Sequence, residues 1–219
     1  MAGIKPIKLD RGEPEIIPIE KVRALLSSAE SYKDGVILPY VAIGLFAGIR
    51  PTELSRISWK NIDLDDGTIT LDAKIAKMRG RRVVDMVCLT EKDQDGADHK
   101  LPANLIDWLL PYAPKKTPIR GKNWRRDFDA VKRLAGYDGR EEKKKDGLLP
   151  WTQDLMRHTA ISNHLAMFKH EGQTAVWAGN SPDVIQQHYK GLVKSKDAEE
   201  FWGIRPDADE KISKLPNVA

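Results

Sequence analysis

Arg50, Arg157 and Tyr189 stand in three local contexts that could serve one chemistry: GIRPTEL at 48–54, DLMRHTAIS at 154–162 and GNSPDVIQQHY at 179–189. A guanidinium is a planar fork of donors matched to phosphate oxygens. A phenolic oxygen can hold a phosphoryl group covalently. Two such forks and one such oxygen in a common pocket would grip a phosphodiester and attack it. A free phenol ionises near ~10 and is a weak nucleophile at neutral pH. Close arginines are expected to lower that value and stabilise the phenolate. Each residue also has a plainer reading: Arg50 as the partner of Glu53, Arg157 as the helix-face partner of Asp154, and Tyr189 as an amphipathic residue beside His188.

Lys77 lies in a basic stretch, AKMRGRR. It could donate a proton to a leaving-group oxygen. Equally, it could join Lys74, Arg79, Arg81 and Arg82 in attracting a nucleic-acid backbone. His158 and His164 are six positions apart with no third ligand in view, which argues against a zinc site. Cys88 is the single cysteine, so an intrachain disulfide and a cysteine zinc cluster are both excluded. Its setting, VVDMVCL, reads as a buried strand thiol.

The elements that must position these groups follow from periodicity. Residues 1–14 read as an extended lead-in. Val22, Leu25 and Leu26 recur at helical spacing after Pro18. A second, apolar helix spans about 36–47 and is broken by Gly48, as a glycine just past a helix end would break it. Pro51 restarts a helix that Leu54, Ile57 and Ser58 carry to Trp59. Residues 68–71 alternate like a strand after the turn Asp65-Asp66-Gly67, and 83–89 form its antiparallel partner across the basic connection. Residues 91–102 read as a polar loop. Further helices are expected at 105–110, 124–134, 154–168, 173–178, 182–189 (with Ser181 as N-cap) and 197–202. The charge run 140–146 reads as a solvated segment, and 206–219 as a flexible tail. The expected fold is therefore mainly α with a small antiparallel β-sheet.

With 219 residues, 41% of them apolar, the chain is long enough for one well-filled core. The net charge is +4 and the pI about 9.0, which suits a nucleic-acid partner without requiring one. No apolar run approaches the ~18–20 residues of a membrane span, and the first residues carry no signal-peptide core. A cytoplasmic, nucleoid-associated protein is expected.

Taken in order, these pieces resemble the catalytic domain of the tyrosine recombinases, the phage-integrase family. Gly48-Ile49-Arg50-Pro51-Thr52-Glu53-Leu54 is similar to that family's first-arginine motif. Lys77 stands where it has a β-hairpin lysine, and Asp154-Leu155-Met156-Arg157-His158 matches its His-x-x-Arg-His motif. Asn180 keeps the family's interval to the tyrosine, from 180 to 189. The resemblance covers about 15–205 and implies an α+β recombinase catalytic domain that cleaves and rejoins DNA through a 3′-phosphotyrosyl intermediate. It implies that Arg50 and Arg157 clamp the phosphate, Tyr189 attacks, and Lys77 protonates the departing 5′ oxygen. Asp154 and Asn180 would assist proton movement and oxyanion binding, with His158 supporting the site from behind. Neither metal nor cofactor is implied, and the partners are double-stranded DNA and further copies of the chain, as a tetramer on DNA.

The chain departs from the family at two positions. Asp154 replaces the first histidine and Asn180 replaces a histidine or tryptophan, so activity is expected to be reduced. The family's N-terminal core-binding domain is expected to be absent from these residues. Phe201 and Trp202 either dock onto a neighbouring protomer or pack within their own chain. Two further readings stay open: a recombinase-like module that binds DNA without cutting it, and a helix-turn-helix regulator built on 41–59.

Overall fold

The computed structural model describes residues 14–76, 80–92, 98–101, 103–113, 119–138 and 147–206. Its helices are α1 (Ile19–Ser31), α2 (Leu38–Phe46), α3 (Pro51–Leu54), α4 (Asn104–Leu109), α5 (Trp124–Leu134), α6 (Leu155–Phe168), α7 (Glu171–Ala178), α8 (Pro182–Tyr189) and α9 (Ser195–Trp202). Three strands, β1 (Ile62–Asp63), β2 (Thr68–Leu71) and β3 (Arg82–Asp85), form an antiparallel sheet in sequence order. Two small pairs complete the set: antiparallel β4 (Thr90–Lys92) with β5 (Asp98–Lys100), and parallel β6 (Tyr137–Asp138) with β7 (Leu149–Pro150).

Every residue of α2 is buried. A helix apolar on all sides must be enclosed, and α1, α4 and α6 pack around it. α1 turns Val22, Leu25, Leu26 and Ala29 inward, as their helical spacing predicts. α9 lies across α6 and α1. Its Phe201 and Trp202 are fully buried, with ring centroids 5.1 and 6.1 Å from that of Phe46. The end of the described chain thus seals its own core. Two buried aromatic side chains contribute roughly 1.5–3 kcal/mol each to that closure.

The mainly α fold with a small antiparallel sheet matches the expectation, and four local readings change. The helix opened by Pro51 stops at Leu54 and does not reach Trp59. Asn61 Oδ1 accepts from the Ser58 amide (3.1 Å) and hydroxyl (3.0 Å), a local bond that competes with helical pairing. With α3 four residues long and α2 buried, a helix-turn-helix reading of 41–59 fails, because no exposed recognition helix exists there. β3 ends at Asp85, since that residue's carbonyl accepts from the Trp177 indole at 2.8 Å. Cys88 is accordingly outside the strand and half-buried, with its thiol turned to the Met86 carbonyl at 3.7 Å. Finally, the segment read as a polar loop contains β4 and β5. The charge run 140–146, almost all of the lead-in and all but the first residue of the tail lie outside the described residues.

Candidate functional site

The corner between α2 and α3 is the foundation. Gly48 adopts φ +57°, the left-handed region glycine enters without steric cost. A Cβ built there would lie 2.6 Å from the Trp177 ring, so α7 packs its indole directly on the corner backbone. The same indole donates to Asp85 of β3 and stacks on His164 of α6, with ring centroids 4.3 Å apart. Trp177 thereby ties three elements together and brings the residues after it, 178–180, against Arg50 and Arg157.

Both guanidinium groups meet at that turn. Arg50 donates through Nη2 to the Gly179 carbonyl (2.7 Å) and to Asn180 Oδ1 (3.0 Å). Arg157, in the first turn of α6, is buried. It donates to the Gly48 carbonyl, to the Ala178 carbonyl (2.8 Å) and to the same Asn180 Oδ1 (3.2 Å). One amide oxygen is therefore shared by two arginines 107 positions apart in the chain (50 and 157). Burial, and after it the charge of Arg50, pushes Arg157 down to about 10. It remains a cation at neutral pH. The expected Arg157–Asp154 pairing is not what the guanidinium does; its partners are the three oxygens just named.

Glu53 holds this cluster from below. Its carboxylate is 1% exposed, 3.5 Å from Arg50 Nη1 and within 3.1 Å of Arg82 Nη2. A carboxylate so enclosed is tolerable only with charged partners. Arg82 was expected among the DNA contacts, yet both of its terminal nitrogens donate to Glu53. A Cβ on Gly179 would lie 2.9 Å from Arg82 Nη1, so the arginine also backs the turn that Arg50 grips. The plain reading of Arg50 as a partner of Glu53 is met, with Nη1 3.5 Å from that carboxylate, while Nη2 serves the 179–180 turn.

Tyr189, the last residue of α8, is buried rather than a surface residue. Ser181 caps that helix as expected, accepting from the Val184 amide at 3.4 Å. The phenol oxygen lies 2.8 Å from His158 Nδ1. Burial raises the Tyr189 pKa; Arg157 and Arg50 pull it down and Asp154 pushes it up. The arginines act in the direction expected, but desolvation outweighs them. His158 was expected to support the site from behind. Its direct bond to the tyrosine joins residues 31 positions apart in sequence, for which spacing carries no signal. Burial lowers its pKa, with Asp154 raising it and Arg157 and His188 lowering it.

Asp154 sits at the start of α6 in the left-handed region, φ +64°, which aspartate tolerates better than most residues. It lines an open cleft of about 760 Å³ together with Arg50, Thr52, Arg56, Lys74 and Gln153. Lys74 and Arg81 are exposed. Lys77 and Arg79 lie outside the described residues. His164 stacks on Trp177 and shares a hydrogen bond of 2.9 Å with Thr174 Oγ1. Among the described residues no group of three or more metal-ligating side chains occurs, and no helix is long and apolar enough to cross a membrane.

No protein-family model matches the chain. A 77-residue stretch is 29% identical to a protein of Escherichia coli (strain K12) whose name, IntQ, carries the word defective. That match spans 35% of this chain and 19% of the relative. Solved structures cover far more. XerA recombinase superposes with a TM-score of 0.58 at 18% identity, over 90% of this chain and 67% of its own. The catalytic domain of bacteriophage HP1 integrase superposes at 0.53 and 15%, over 94% and 97%. XerH site-specific recombinase, in a pre-cleavage complex with its difH substrate, superposes at 0.52 and 16%, over 85% and 53%. The resemblance read from four short motifs is borne out at the level of architecture: this chain has the fold of a tyrosine-recombinase catalytic domain.

Proposed function

We propose that the chain cleaves and rejoins DNA through a 3′-phosphotyrosyl intermediate. The observation that supports this most directly is the convergence of Arg50 and Arg157 on Asn180 Oδ1, in a site whose charges act on the Tyr189 phenol. A scissile phosphate entering the cleft would take over guanidinium donors that now serve main-chain and amide oxygens. Charge building on the pentavalent phosphorus would meet two preorganised cations. Tyr189 would attack, and Lys77, from the β2–β3 connection, would protonate the departing 5′ oxygen. Asp154 would handle protons at the mouth of the cleft. With its oxygen turned to the arginines, Asn180 would have its amide nitrogen left to donate to the phosphate.

Lys74, Arg79 and Arg81 would contact the phosphate backbone, making binding strongly salt-dependent. XerH was solved bound to its difH substrate and the Tn1549 transposon integrase in complex with transposon right end DNA, and a duplex partner is proposed here by that likeness. Self-association into a tetramer on DNA and a cytoplasmic, nucleoid-associated location belong to the same proposal.

The test is covalent trapping on a nicked duplex, which lets the cleaved strand diffuse away. The wild-type chain should form a denaturation-resistant adduct, and Tyr189→Phe should form none while binding duplex within a few-fold of wild type. An adduct in the Phe variant would exclude Tyr189 as nucleophile. A second reading, a module that grips DNA without cutting it, is favoured by Asp154 and Asn180 at histidine positions and by the word defective in IntQ. It expects duplex binding with no adduct from either protein.

A further inference from the structure

We infer that His158 is the base that takes the Tyr189 proton in the forward reaction and returns it during religation. This rests on the strand-cleavage reading and adds a catalytic residue to it. Three observations carry it. His158 Nδ1 lies 2.8 Å from the phenol oxygen, inside the range for direct proton transfer. The two rings are tilted at 38° with centroids 5.7 Å apart, so they are not stacked face to face and their near contact is the Nδ1–oxygen pair. Third, the position facing the cleft, Asp154, is occupied by a carboxylate with no hydrogen bond to the phenol, whereas the imidazole has one.

The charges around His158 suit a base that starts neutral. Asp154 on the same helix favours the imidazolium, while Arg157 and His188 oppose it and burial opposes it most. The ring is therefore unprotonated at neutral pH, and in the tautomer this role requires, with the proton on Nε2, the Nδ1 lone pair accepts from the phenol. In the forward step the Tyr189 O–H bond breaks and an N–H bond forms at Nδ1. The phenolate oxygen bonds to phosphorus, and the bond from phosphorus to the 5′ oxygen breaks, that oxygen taking its proton from the acid on the opposite side. In religation the imidazolium gives its proton back to the departing phenolate. Asp154 would stabilise the imidazolium through space, which gives the residue at the unusual position a role that does not require contact with the phosphate.

His158→Asn tests this in the full chain, because the amide keeps an acceptor near the Nδ1 position and has no useful basicity. Adduct formation on the nicked duplex should fall about 10²-fold or more, with duplex binding and the thermal midpoint close to wild type. The pH profiles should separate the two proteins. The wild-type rate should level off above a midpoint below 6.5, whereas the variant's rate should keep climbing toward the range in which the phenol itself ionises. A duplex with a bridging 5′ sulfur, whose thiolate leaves without protonation, should not relieve the His158→Asn defect. Imidazole nitrogen NMR on the unliganded chain should show Nδ1 unprotonated at pH 7. Adduct formation by His158→Asn at the wild-type rate with the wild-type pH profile, or a proton found on Nδ1, overturns the role of His158 and leaves Tyr189 as nucleophile. A wild-type chain that forms no adduct overturns both.

Discussion

The two ends of the site are held in opposite ways. At the guanidinium end, Arg157 donates to three oxygens from two distant parts of the chain, Arg50 to two, and Glu53 is wedged between Arg50 and Arg82. At the phenol end, a single bond between two rings joins two helices. The first end is built into the fold, so the groups that would bind a phosphate also hold α2, α6 and α7 together. The second end is light in polar contacts, and the Tyr189 oxygen gives up about one hydrogen bond when it parts from His158. In the proposed reaction the nucleophile that must travel to phosphorus would sit on the light end, and the charges that must not move on the heavy one.

This contrast can be broken from either side. Arg157→Ala should do the most damage. It strands the buried Gly48 and Ala178 carbonyls, each costing about 1–3 kcal/mol, so urea unfolding should register a loss of about 4 kcal/mol, a large share of an ordinary domain's stability. Adduct formation by whatever remains folded should fall by a further 10²–10³-fold, roughly the effect of a lost oxyanion donor. Glu53→Gln comes next. It leaves Arg50 and Arg82 facing each other without the intervening negative charge and should lose about 3 kcal/mol in the same measurement. Tyr189→Phe, by contrast, should change the unfolding free energy by about 1 kcal/mol although it abolishes the adduct. A loss as large as that of Arg157→Ala would mean the two ends are not held differently after all.

The smallest expected effect is a pH dependence. Burial pushes His164 down to about 3, against about 6.5 in the unfolded chain. Between those values the unfolded chain binds a proton that the folded chain refuses, so stability is full above pH 6.5 and falls as pH drops below it. From pH 7 to 5.5 the loss should be about 1 kcal/mol. His164→Asn, which can still serve Thr174 Oγ1, should flatten that slope in urea unfolding at the two pH values.

How far such a site can be read from sequence depends on whether its parts are local. Gly48, Pro51 and Ser181 act on their immediate neighbours, and the corner, the restarted helix and the cap are all where the residues imply. The helix stripe of α1 is equally local. The shared Asn180 oxygen, the Glu53–Arg82 pair and the His158–Tyr189 bond each join distant segments, and no periodicity encodes them. β4 and β5 lie in a stretch so polar that nothing marks a strand, and β6 and β7 are only two residues each. Trp177 escaped notice because its work is to be in contact with four partners, namely Gly48, Asp85, His164 and Trp202, and none of them is near it in sequence except through the fold.

Gly48 has a bearing on how variation in this gene would be interpreted. A single methyl at that position would strike the indole ring on one side and disturb the acceptor of a sunken cation on the other. A mutant library sorted only for soluble expression should therefore already be empty at codon 48, while codon 189 should stay permissive until the library is sorted for the proposed strand exchange. Intolerance at the glycine would report architecture, and intolerance at the tyrosine would report the proposed chemistry.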